Sequence, residues 1–288
     1  MIRTSIALIL AAACSGGAAA DTIIVTQNAA GTGGTGAYST VLNSQPRSWL
    51  TVIGQAELSG RLPVGARITG VSWRLASWQA FASWPASTVI FNSFDIYLGI
   101  AARSPGNLDM TNVANNWGPD LTLTHAGGTV FSPGYFPGGA VSPSFNPFCT
   151  PINLLPTYTY QGGDLLIMVR HTGNNASNGN LDWVSSSFGA SGAQGISVAS
   201  YTSNTGWGGG GNGGCIVMQF TYTLEAPCYA NCDNSSNPPV LNINDYTCFL
   251  NRYAGGDSYA NCDHSTTPPV LNVNDFTCFL NTYAAGCP

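Results

Sequence analysis

YANCDNSSNPPVLNINDYTCFLNRYA, residues 229–254, is followed at 259–284 by YANCDHSTTPPVLNVNDFTCFLNTYA. The stretches agree at 20 of 26 aligned positions, so one unit of thirty residues is written twice. Repeats of this length are copies of a supersecondary unit that buries its apolar face only against its neighbour. Each copy has a polar half and an apolar half. The Pro-Pro step bars a helix from the polar half. The apolar half predicts a short amphipathic helix starting at Asp245 or Asp275. Tyr246, Phe249, Leu250 and Tyr253, with their equivalents Phe276, Phe279, Leu280 and Tyr283, follow the i, i+3, i+4, i+7 spacing of one helix face. An acid at the helix start complements the macrodipole.

The polar halves place oxygen donors at alternating positions, Asn231, Asp233 and Ser235, then Asn242 and Asp245. The second copy offers Asn261, Asp263, Ser265, Asn272 and Asp275. That is the ligand order of a calcium loop closed by a carboxylate on the exiting helix. Loop followed by a single helix, duplicated, resembles a dockerin domain, in particular the cysteine-containing bacterial kind ending in Gly-Cys, as Gly286-Cys287 does here. The resemblance covers residues 228–287. It implies two Ca2+ sites and a cohesin-like or analogous anchoring receptor. The receptor would be recognised through Ile243, Asn244, Val273 and Asn274, with either copy able to bind. The loops depart from the pattern: they are longer by three residues, lack the glycine of position six, and begin with Asn. Two carboxylates per loop weaken the hold on a hard cation. Calcium loops and loops held by disulfides alone both remain open.

Cys232 and Cys248 recur as Cys262 and Cys278, so a bridge inside each copy is the economical pairing. Cys228 and Cys287 flank the unit and could clasp its ends, although six cysteines allow fifteen connectivities. A module of about sixty residues needs such staples or a metal.

At the other end, residues 1–20 read as a signal peptide. Arg3 is the positive n-region, Ile6 to Ala13 the apolar run, and Ala18-Ala19-Ala20 the cleavage site before Asp21. A lipoprotein signal using Cys14 is the alternative. Either way the chain is expected to be exported, secreted or attached to the cell surface. No stretch has the roughly 20 apolar residues of a membrane span. Charged residues make up only 7% of the chain, net charge is −5, and all eight basic residues are arginine. This argues against nucleic acid as a partner. It also excludes Schiff-base chemistry and the lysine of a phosphate-binding loop.

Residues 21–225 alternate strand-like runs with Gly- and Pro-rich turns. The runs are Thr22–Thr26, Trp49–Gly54, Ala66–Leu75, Thr88–Leu98, Leu121–His125, Thr157–Tyr160, Asp164–His171, Leu181–Ser185, Ile196–Tyr201 and Cys215–Leu224. This pattern predicts an all-β domain, a jelly-roll-like β-sandwich, beside the small α-helical module of 226–288. FDIYLG (Phe94–Gly99), GGTVFS (Gly127–Ser132) and YQGGDLLIMVRHTG (Tyr160–Gly173) resemble secreted bacterial β-sandwich domains of unsettled function. Cys149 and Cys215 are expected to form a disulfide here.

Catalytic material is scarce in this region. Asp95 and Asp182 lie in strand-like runs, yet nothing in the sequence sets them across a sugar as a glycoside hydrolase requires. His125 and His171 lack metal-ligand spacing. The aromatics Trp78, Phe81 and Trp84, with Trp207 in the tract Gly206–Gly214, offer a glycan platform, or else they plug an open end of the sandwich. Three functions follow in order: a non-catalytic anchored β-sandwich protein, a glycan-binding protein, and a polysaccharide-degrading hydrolase or lyase.

Overall fold

The computed structural model describes residues 20–78, 81–185, 192–206, 213–224, 228–235 and 239–287. The expected signal peptide, apart from Ala20, and Trp207 lie outside the described residues. The chain divides into two compact units between Leu224 and Glu225.

The first unit is built of strands. It opens with β1 (Ala20–Val25), β2 (Gly36–Tyr38) and β3 (Arg47–Ile53), then a single helical turn, α1 (Gln55–Leu58). Next come β4 (Arg67–Trp73), β5 (Val89–Phe91) and β6 (Phe94–Ile100). They are followed by β7 (Thr122–His125), β8 (Thr129–Phe131), β9 (Ile152–Thr159) and β10 (Leu165–His171). The unit ends with β11 (Leu181–Val184), β12 (Ala193–Val198), β13 (Cys215–Ile216) and β14 (Met218–Thr223). One sheet has the order β1-β14-β4-β9 and a second β12-β3-β10-β6-β7. A three-stranded sheet, β13-β11-β2, and a hairpin, β5-β8, complete the unit. The named pairings are antiparallel, and the architecture is β-sandwich-like.

Side chains alternate across a strand, and β10 uses both faces. Leu165, Ile167 and Val169 join the large core with Ile68, Val71, Trp73 and Phe220 from the other sheet. Leu166 and Met168 point the opposite way, into a second cluster with Leu50, Val52, Val113 and Ile196. This double burial explains why LLIMVRH is apolar almost throughout. It also makes the outer face of the five-stranded sheet a covered surface.

Several expectations needed correction. The run Thr88–Leu98 breaks at Asn92-Ser93 into β5 and β6, and β5 pairs with β8. β9 begins at Ile152, five residues before the expected Thr157, and contains Pro156. Its register against β4 slips between Ile68 and Gly70, and proline is tolerated in such a bulge on an edge strand. The expected Cys149–Cys215 bridge is absent, and both thiols are free and buried. Each serves as a small apolar side chain in the core, a role open to cysteine whatever the parity of its count.

The second unit is the duplicated one. Its helices α2 (Ile243–Ala254) and α3 (Val273–Ala285) start two residues before the expected Asp245 and Asp275. The Asn-x-x-Asp sequence forms a capping box, which puts the acid in the first turn rather than ahead of it. Phe249 and Phe279 stack face to face at 4.0 Å, 12° apart, at the centre. Tyr229 and Tyr259 stack at 4.8 Å, and each hydroxyl donates to the other's backbone carbonyl. Leu250 and Leu280, expected in the core, are 38% and 39% exposed. The stacked rings fill the space between the copies, so the next residue on each helix faces outward. Three disulfides close the unit: Cys232–Cys248, Cys262–Cys278 and Cys228–Cys287. Each short bridge spans 16 residues and is worth about 3 kcal/mol in the chain-entropy model.

Candidate functional site

Each loop of the duplicated unit converges on the carboxylate of its own helix. Asp245 is fully buried, its Oδ1 accepting the Asp233 N–H at 3.2 Å and its Oδ2 the Asn242 N–H at 2.9 Å. Asp275 repeats this with Asp263 at 3.2 Å and Asn272 at 2.8 Å. Asn242 and Asn272 turn their side-chain oxygens to the Asn244 and Asn274 N–H groups, both at 2.8 Å. The carboxylates thus lock the loop to the helix start and sit at the positive end of the dipole.

Asp233 Oδ1 accepts the Ser235 N–H at 2.9 Å, as does Asp263 Oδ1 from Ser265. The Asp233 carboxyl is held below its ordinary pKa, first by that backbone N–H. Asp263 is lowered in the same way beside Asp275. Two carboxyl groups therefore meet in each loop. Asn231 Oδ1 takes the Ser235 N–H at 3.0 Å, whereas Asn261 Oδ1 is buried without a partner. Positive φ falls on Asn234 (55°) and His264 (54°), residue types that tolerate it.

This donor set fits a hard divalent cation. It is all oxygen, includes two adjoining carboxyl groups, and in the second copy leaves a buried carbonyl oxygen unpaired. Among the described residues no three His, Cys, Asp or Glu side chains cluster, so the rest of such a shell would come from Asn, Ser, backbone carbonyls and water.

The other sequence-predicted residues are dispersed. Ile243 and Val273 are each 71% exposed at the helix starts, with Asn244 and Asn274 exposed beside them. Of the expected aromatic platform, three residues are described and Trp207 is not. Trp84 is buried against Phe136 at 5.5 Å and Phe131 at 6.1 Å, Phe81 is half-buried, and Trp78 is 53% exposed. Asp182 and Asp95 do not face each other as catalytic acids. Asp182 is buried in an ion pair with Arg74 at 2.7 Å and accepts the Gly34 N–H. Asp95 accepts from Gly127 N–H at 3.0 Å and Tyr201 O–H at 2.7 Å. His171 is buried, its Nε2 on Thr40 O at 2.7 Å and its Nδ1 accepting the Gly173 N–H. Burial pushes its pKa down to about 4, which keeps it neutral. Sequence reasoning missed the surroundings of Arg170, a buried cation on a strand that otherwise reads as core. Its position after an unbroken apolar run was the available signal. No protein-family model matches the chain, and no curated protein matches it.

Proposed function

We propose that the chain is an exported, non-catalytic β-sandwich protein of jelly-roll type, held to a surface or multiprotein assembly by its C-terminal module. The module acts as a dockerin-like, calcium-dependent plug for a cohesin-like receptor. The observation that carries this reading is the equal presentation of two recognition edges. Ile243 and Val273, equivalent residues of the two copies, are exposed to the same 71%, each beside an exposed asparagine at a helix start. A partner that covered these two side chains would remove apolar surface from water, which favours its binding.

Calorimetry on the full chain tests the metal. Two calcium ions should bind, Asp245→Ala or Asp275→Ala should each remove one, and the double variant both. A saturating excess of about 100 times Kd should stabilise the module by about 2.7 kcal/mol for each occupied site. Absence of both heat and thermal shift in millimolar calcium overturns the metal assignment. The receptor is tested separately, with purified cohesin-type domains as the probe. Wild type and either single variant, Ile243→Asp or Val273→Asp, should bind, and the double variant should not. Equal binding by the double variant would refute these edges as the recognition surface.

A further inference from the structure

The outer face of the five-stranded sheet in the first unit carries a cleft. On β6, Phe94, Ile96 and Leu98 enter the large core, so Asp95 and Tyr97 point the other way. On β10, Met168 and Arg170 share that outward face. The register sets Arg170 opposite Asp95 and Met168 opposite Tyr97, four side chains in a square. Two loops wall this square. Trp117 follows the 3-10 turn Val113–Asn116, and Tyr201, Thr202 and Asn204 follow β12. The cleft encloses about 380 Å3, at the small end of ligand sites, which run roughly 300–1,000 Å3.

Its chemistry is specific. The Arg170 guanidinium lies 5.5 Å from the centre of the Trp117 ring, donates to Tyr201 O at 3.0 Å and bonds Asn204 Oδ1. Those bonds tie the second loop to the sheet and fix the wall in place. Among the residues lining the cleft Arg170 alone is charged, and Asp95, opposite it in the register and equally buried at 8% exposure, offsets that charge without lining the cleft. Tyr97, Trp117 and Leu121 are half-buried and supply apolar and aromatic surface. The indole Nε1 of Trp117 is buried without a hydrogen-bond partner, as is that of Trp183.

From this cleft we infer that the sandwich binds a neutral saccharide, with a pyranose ring against Tyr97 and Trp117 and its hydroxyls on Thr202, Asn204 and Arg170. Sugar rings have apolar C–H faces and a rim of hydroxyls, which match ring surfaces bordered by paired polar groups. Balanced charge favours an uncharged sugar over a uronate. This deepens the reading of an anchored, non-catalytic protein by giving the anchored domain its ligand. The two can fail separately, because calcium and receptor binding are read on the C-terminal module.

The test is titration of the full chain with cellohexaose, xylohexaose, mannohexaose and hexagalacturonate. At least one neutral hexasaccharide should bind. Trp117→Ala and Tyr97→Ala should each weaken it about tenfold or more, and Trp117→Phe, which keeps a ring in the wall, should retain most of the affinity. Thermal unfolding checks that each variant is folded. If Trp117→Ala does not fold, Tyr97→Ala and Thr202→Ala carry the test. The inference is overturned if no neutral hexasaccharide binds, if only hexagalacturonate binds, or if the folded variants bind as tightly as wild type.

Discussion

His171 shows how a residue can look like chemistry in the sequence and act as structure in the fold. Phe94 stacks on its ring at 5.9 Å and Phe91 meets it edge-on at 5.1 Å, so its neutral form belongs to the aromatic core. In the unfolded chain it takes a proton near its ordinary value of 6.5, in the fold only near 4. Between those values the unfolded chain binds more protons, so its contribution to stability is lost as pH falls from 6.5 to 4. The linkage amounts to about 3 kcal/mol. Urea unfolding at pH 7 and pH 4.5 should show most of that loss. His171→Gln keeps a donor for Thr40 and an acceptor for Gly173 and should lose less, by about 2–3 kcal/mol. Equal pH dependence in the two proteins would mean the imidazole is not the sensor. Nothing in the spacing around His171 marked it as buried, because its partners Thr40, in a 3-10 turn, and Phe91, on β5, are distant in the sequence.

At the level of elements, the helices were legible and their starts were not. Spacing of Phe249 and Tyr253 put α2 in the right place, but the Asn-x-x-Asp cap moved its beginning to Ile243. The cap makes a prediction of its own. Asn242→Ala should destabilise the module by about 1 kcal/mol, and Asn272→Ala by the same amount, since both accept from the second helical N–H at 2.8 Å. Chemical denaturation of the full chain measures both, and unequal losses would break the equivalence of the two copies. Strands were read well where alternation was strong, as in β4. They were read poorly where a proline lay in a bulge, as in β9, or where three residues sufficed, as in β2. The candidate loops were named residue by residue from the repeat. The Arg170 cleft was not, because it is assembled by register between β6 and β10, and single-strand patterns do not contain register.

For the whole molecule, the division between Leu224 and Glu225 separates two ways of holding a chain together. The C-terminal unit has three disulfides and a core of a few rings, and the sandwich has a large core and two unbridged cysteines. A reducing agent should therefore lower the melting transition of the module and leave that of the sandwich in place; calorimetric scans with and without dithiothreitol read this directly. A shift of both transitions would contradict it. Among the described residues no helix is long and apolar enough to cross a membrane. The unbridged cysteines have one more consequence. Burial pushes the Cys149 thiol up to about 12 and the Cys215 thiol higher than its ordinary value, so neither supplies a thiolate while the sandwich is closed. Only the thiolate attacks an alkylating reagent or a disulfide. Uptake of iodoacetamide at these two positions is then a clock that runs only while the domain is open, and the six paired cysteines of the C-terminal unit stay safe from exchange with them for as long as it is stopped.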